Sequence, residues 1–272
     1  MKGHKYRTLL YFGLAFAITW INGFILAYQS HNSGSKNMIV LLLAYMGPFI
    51  AALIIFAILR EKGLFKDFRR RLVNVKLINI RYLPFTLLIL PIGMIVSILI
   101  SVIFGQPIEQ LTFAQEFKVF DGEMILSVII LALVPILEEL GWRGYGVDSI
   151  MHKNNLFRTS IIFGLIWGLW HLPVFFIEGS YQTSLWIMNP IYAINFFVGI
   201  IPLVFIMNWL YYKNKRSILL VAVFHVFVNF TSEIFEANQV SKCILTLVLF
   251  GVAFVLVKRD PEFFFSKKLE DM

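Results

Sequence analysis

The chain carries a single cysteine, Cys243, among 272 residues. It therefore forms no internal disulfide and offers no cysteine cluster to a metal, and it reads as filler in the last apolar run. Charge is scarce too: 15% of residues are charged and 59% are hydrophobic, with a mean hydropathy of +0.78. An ordinary soluble domain, in which about a quarter of residues are charged, is excluded. There is no internal repeat, no low-complexity tract and no extramembrane domain; the longest loops expected are 60–82 and 105–123. What fills the chain instead is a series of apolar runs. They lie at about 8–27, 38–59, 83–104, 124–142, 159–177, 186–212, 217–231 and 243–257. Most approach the roughly 17–25 residues that cross a ~30 Å hydrocarbon core, and the last two are short. The expected fold is all-α, a polytopic membrane protein of about eight transmembrane helices forming one membrane-embedded domain over 1–272.

The few charges are unevenly placed. With eight spans and the N-terminus inside, segments 1–7, 60–82, 143–158, 213–216 and 258–272 hold 21 of the 24 Lys and Arg. The other side keeps Lys36, Lys118 and Lys242. Cytoplasmic loops carry such an excess, so both termini are expected in the cytoplasm. The net charge of +8 is then a signal of orientation, and the partner it implies is the lipid bilayer, with no nucleic acid. The densest basic stretch, REKGLFKDFRRRLVNVK (60–76), reads as a topology anchor; Leu64, Phe65, Phe68 and Leu72 would also let it lie on anionic headgroups. The first run begins like a signal peptide, with Lys2, Lys5 and Arg7, but has no small-x-small cleavage site and is expected to stay as the first helix.

Ionisable and amide groups inside spans carry the information about function, because a central charge costs roughly 2.5–3.5 kcal/mol on insertion scales. Glu138, Glu139, His171, His225 and Asn229 stand out, with Arg143 at the membrane edge. Asn22, Asn195 and Asn208 are further amides, and His4, His31 and His152 fall in expected loops. Residues four apart share a helix face, so Glu139 is expected to pair with Arg143. Glu138 then points elsewhere, on the face of Pro135 and Trp142, with no cation of its own. Gly141, Gly144 and Gly146 permit close backbone approach beyond the pair. Trp167 and His171 also share a face, and Pro173 loosens the helix just past the histidine. His225 and Asn229 form one polar face on an otherwise apolar helix. Trp167, Trp170 and Phe163 read as packing. From the cytoplasmic helix ends, Glu138 is about five residues deep, His225 about eight and His171 about twelve; these depths overlap once helix tilt and a kink at Pro135 are allowed, so one shared pocket is feasible.

Taken in order, EELGWR (138–143), WGLWH (167–171) and HVFVN (225–229) resemble the three motifs of the CAAX protease and bacteriocin-processing family of intramembrane proteases, which includes the type II CAAX prenyl endopeptidases. The motif-bearing core is about 124–231. In that family the position of Trp167 is more often Phe, a mild departure, since either ring can pack. The resemblance implies an endopeptidase that cuts near the C-terminus of a CAAX-like protein or peptide. That C-terminus is membrane-anchored, prenylated in the best analogue, and the site is near the cytoplasmic side. It also implies Glu138 as general base on water, oriented with His171. His225 and Asn229 would donate to the oxyanion, and Glu139, Arg143 and Trp167 would support them. A carboxylate in an apolar pocket is a better base near neutral pH. Zinc held by Glu138, His171 and His225 is the other possibility, but the H-E-x-x-H helix is absent, and the favoured mechanism needs no cofactor. No serine lies within the motifs and Cys243 is remote, which argues against a nucleophilic side chain. The rival readings are an inactive family member serving as an immunity or scaffold protein, or a transporter, for which Pro190 and Pro202 in the sixth run are the only hint.

Overall fold

A computed structural model describes residues 6–34, 37–117 and 122–271. Lys2, His4, Lys5, Lys36 and Lys118 lie outside the described residues. Among these described residues twelve α-helices follow one another: α1 (Thr8–Ser33), α2 (Met38–Leu59), α3 (Lys62–Val73), α4 (Leu83–Ile103), α5 (Gly122–Gly141), α6 (Val147–Met151), α7 (Leu156–Trp170), α8 (Tyr181–Met188), α9 (Pro190–Lys213), α10 (Ile218–Ile234), α11 (Gln239–Arg259) and α12 (Pro261–Phe265). Among the described residues, seven helical stretches are long and apolar enough to cross a membrane, and α10 is a shorter apolar helix. The chain is an all-α polytopic membrane protein. Its only β feature among these residues is an isolated bridge between Phe113 and Phe235.

Polar side chains start the helices. The Asn37 carboxamide accepts from the N–H groups of Ile39 and Val40, Asn155 from Arg158, Ser217 from Leu220 and Asn238 from Ser241. Each satisfies one or two of the four donors that a helix N-terminus leaves free. The helices then pack as α1 on α2, α2 on α5, α5 on α10 and α10 on α4, with α4 on α11, α11 on α9 and α9 on α7. Two glycines let helices come close around the end of α5. A Cβ on Gly141 would stand 2.2 Å from the Pro48 carbonyl carbon, so α2 presses directly on the end of α5; one on Gly146 would meet the Tyr11 ring at 2.7 Å.

Several boundaries differ from the sequence reading, each for a local reason. The first helix runs past 27 and ends only where Gly34 turns left-handed at φ 62°, so His31 is helical; one ring nitrogen, Nε2, lies 3.1 Å from the Phe176 carbonyl. The sixth run is broken at Asn189, extended at φ −167°, because Pro190 disfavours a helical residue before it. Segment 60–82 is no loop but contains α3, whose Leu64, Phe68 and Arg71 are buried against the bundle; of the four apolar residues proposed for headgroups, Phe65 alone is exposed outright. The seventh span is short because its linker is itself buried, with Asn214 and Ser217 fully covered.

The fourth span differs most. It does not stop at 142 but continues through a π-turn, Trp142–Gly146, into α6. Arg143 is therefore fully buried and not at the membrane edge. For Glu138 and His171 the extension also evens out the depth. Counted back from Met151, Glu138 is 13 residues in; counted on from Leu156, His171 is 15 in. At ~1.5 Å per residue both stand about 20 Å along antiparallel helices, with no help needed from tilt or the Pro135 kink.

Candidate active site

Four side chains predicted from separate spans line one cavity of about 230 Å³: Glu138 from α5, His171 at the end of α7, and His225 and Asn229 from α10. Thr19, Tyr45 and Gln182 add polar groups to its wall that the sequence reading had not named. Most of the remaining lining is apolar, the character expected of a site that excludes water except where chemistry needs it.

Glu138 is held by two indoles. Trp167 donates its Nε1–H to Oε2 at 3.0 Å and Trp142 to the same oxygen at 3.4 Å. Among the described residues no donor reaches Oε1, so one oxygen is positioned and the other stays open. Trp167 thus does more than pack, in line with a supporting place in the site. A phenylalanine at this position could stack but could not donate, so the tryptophan is not an equivalent ring.

His171 closes α7 as its C-cap, and the chain continues as a 3₁₀ turn, Leu172–Phe176, as Pro173 foretold. Its Nδ1 lies 2.7 Å from the Trp167 carbonyl oxygen. A carbonyl only accepts, so Nδ1 carries the hydrogen and Nε2 of the neutral ring is left with a lone pair. Trp170 and Phe196 rings stand edge-on to the imidazole at 4.8 and 5.3 Å and fix its plane.

Glu139 turns the other way, to Arg143 at 2.9 Å. The pair is wholly buried, and the guanidinium also meets the Asn208 side-chain carbonyl oxygen at 3.2 Å and the Phe163 ring at 5.1 Å. Asn208 is in turn fixed through its amide hydrogen to Ser160 Oγ at 3.1 Å. The i,i+4 spacing announced the ion pair; the role of Asn208, noted only as one amide among several, had no signal in spacing. The sequence also gave no hint that Glu139 meets a second partner. Its Oε1 stands 3.0 Å from His225 Nδ1, so that nitrogen donates to the carboxylate. Glu139 thus bridges Arg143 and His225, and it orients the histidine's Nε2. Asn229, one turn further along α10, lines the same cavity.

Among the described residues no three His, Cys, Asp or Glu side chains stand as a group able to hold a metal ion. Nδ1 of His171 is given to a carbonyl and Nδ1 of His225 to Glu139, and each Nε2 stays free of these bonds. No step below is routed through a metal.

A second buried polar cluster lies on the far side of the π-turn, unnoticed in the sequence. Arg71 of α3 donates to the carbonyl oxygens of Arg143 at 2.7 Å and Gly144 at 3.0 Å, two acceptors of the π-turn itself. It also meets Asp67 at 2.8 Å, Asp148 at 3.2 Å and the Tyr211 hydroxyl. Asp148 receives Tyr212 at 3.0 Å, Tyr211 at 3.2 Å and the Arg216 guanidinium. This lock holds α3, α6 and α9 around the turn that follows Glu138 and Glu139.

With the geometry in view, the comparisons with known proteins agree. A family model described as type II CAAX prenyl endopeptidase Rce1-like matches residues 120–231, a stretch containing all three motifs. "CAAX prenyl protease 2" of Methanococcus maripaludis is 38% identical over 269 residues, 98% of this chain and 99% of that one. The chain belongs to the Rce1-like family of type II CAAX prenyl endopeptidases. "Lysostaphin resistance protein A" of Staphylococcus haemolyticus is 25% identical over 232 residues, 78% of this chain and 55% of its own length. Membership of the endopeptidase family fits a cavity built from one open carboxylate and two histidines each anchored through Nδ1.

Proposed function

We propose that the protein is an intramembrane endopeptidase that hydrolyses a peptide bond near the C-terminus of a CAAX-like protein or peptide, anchored in the membrane by prenylation. The basic ends of the bundle face the cytoplasm, on the distribution of lysine and arginine. The observation that carries the reading is the single cavity bringing Glu138, His171, His225 and Asn229 together.

Two acceptors are available for water, Glu138 Oε1 and His171 Nε2. A water giving one hydrogen to each would turn a lone pair toward the scissile carbonyl. As the C–O bond forms, Glu138 takes the water proton, and the carbonyl oxygen becomes the oxyanion of a tetrahedral intermediate. The Asn229 amide donates to it. His225 donates as well, from Nε2, which requires the imidazolium form because Nδ1–H is already given to Glu139. The ionised Glu139 supplies the counter-charge and itself remains paired with Arg143. Collapse breaks the C–N bond, and the proton held by Glu138 passes to the leaving amine. No metal or other cofactor enters.

Purified protein and a prenylated peptide ending in a CAAX-like sequence test this reading. Glu138→Gln keeps the shape and one acceptor but cannot take a proton, so turnover is expected to fall by roughly 10²–10⁴ while the thermal unfolding midpoint stays near wild type. Wild-type turnover by Glu138→Gln would contradict the base role. Stoichiometric zinc that tracks activity through dialysis and reconstitution would contradict the metal-free step.

A further inference from the structure

One basic surface groove has no place in the chemistry above. Where α2 leaves its span at Leu59 and α3 begins at Lys62, the two helices enclose a groove of about 820 Å³. Its apolar side is Leu53, Phe56, Ala57 and Phe65, with the Phe56 and Phe65 rings packed edge-on at 5.8 Å. Leu53 is 41% exposed and Phe65 49%, so this side opens outward and not into the bundle. Leu53 belongs to a helix apolar enough to span the membrane, which places that wall at hydrocarbon depth. The other side is cationic: Arg60, Lys62, Lys66, Arg69 and Arg70, against the single acid Glu61. Arg70 reaches Asp67 at 2.8 Å, but no described acid stands within ion-pair distance of Arg60, Lys62, Lys66 or Arg69. The cations are exposed, while α3 itself is pinned from beneath by Leu64, Phe68 and Arg71.

An apolar wall that meets a row of unneutralised cations at the membrane boundary matches one molecule: a lipid with hydrocarbon below and negative charge above. A neutral lipid would leave the cations unanswered, and a soluble anion would leave the apolar wall bare. We propose that the α2–α3 groove is a binding site for an anionic phospholipid, its chain along Leu53 and Ala57 and its phosphate against Arg60, Lys66 and Arg69. Because α3 also carries the lock on the π-turn, a lipid seated there would steady the helix that backs the catalytic pair. The inference is independent of the proteolytic reading and stands or falls without it.

Thermal unfolding of the detergent-purified full chain, titrated with phosphatidylglycerol, tests the site. Phosphatidylglycerol is expected to raise the midpoint saturably, and phosphatidylcholine with the same chains to leave it nearly unchanged. Arg60→Gln/Lys66→Gln/Arg69→Gln should lose most of the rise, while Lys258→Gln/Arg259→Gln at another basic helix end keeps it. Ala57→Trp fills the chain side with every cation intact and should lose the rise as well, which guards against a charge variant that simply folds poorly. The proposal is overturned by an equal rise with phosphatidylcholine, by the same rise with inorganic phosphate alone, or by a full rise in both the triple variant and Ala57→Trp.

Discussion

Carboxylates are buried on both sides of the π-turn Trp142–Gly146, and they are treated differently. Asp148, beyond the turn, receives two tyrosine hydroxyls and two guanidinium groups, so its charge is answered from every direction. Glu138, before the turn, receives two indole hydrogens on one oxygen, and its other oxygen stays open beside a cavity. Glu139 lies between the extremes, with a full ion pair and a histidine on the same carboxylate. Burial alone therefore does not mark a catalytic acid. The distinguishing feature is how much of the acceptor capacity the protein has left unspent, and whether space adjoins it.

The contrast can be broken on the lock side first. Arg71→Met removes the guanidinium from two carbonyls and two carboxylates while keeping much of the apolar stem. Removing one partner of a buried pair costs about 3–5 kcal/mol, so a large fall in the thermal midpoint is expected, with turnover per folded molecule less affected. A variant of normal stability would mean that the lock does not hold the turn. On the cavity side the sign reverses. Asn229→Ala is expected to lower kcat by roughly 10²–10³ with KM little changed and with no fall in midpoint comparable to that of Arg71→Met. A rise in KM at constant kcat would instead make Asn229 a substrate-binding group.

A smaller, pH-dependent effect sharpens the same comparison. Burial by itself pushes the Asp67 carboxyl up, but the guanidinium groups of Arg71, Arg216 and Arg70 outweigh it and hold it below the usual carboxylate range. A depressed value in the fold means that the contribution to stability is complete above the unfolded aspartate's value of about 3.9, and is lost as pH falls through the lower folded value. Wild type should therefore lose midpoint on acidification below about pH 4, and Asp67→Asn should begin lower at neutral pH and fall less steeply there. Parallel acid profiles for the two proteins would remove Asp67 from the lock.

What could be read in advance divides along physical lines. Apolar length and i,i+4 spacing gave the spans, the Glu139–Arg143 pair and the freedom of Glu138, because these depend on local geometry. The loosening at Pro173 and the close approach at Gly141 were legible for the same reason. The continuation through the π-turn was not, since glycines and an arginine look like the start of a loop until Arg71, some seventy residues earlier, supplies the missing donors. Nor was the second partner of Glu139, because a contact between α5 and α10 has no spacing to announce it. Nothing in the sequence neighbourhoods of Asp148 and Arg216 says that they meet. The bond from Trp167 to Glu138 comes from the indole N–H and not from the ring faces that spacing brings into view.

The central claim is that Glu138 and His171 act together on one water, and double-variant kinetics test it most directly. Glu138→Ala and His171→Ala should each remove most of the hydrolysis of a prenylated peptide, and the double variant should be little worse than the poorer single one, because members of one catalytic unit fail together. Losses that multiply in the double variant, with both single variants folded, would show that the two side chains do not share a step and would contradict the account.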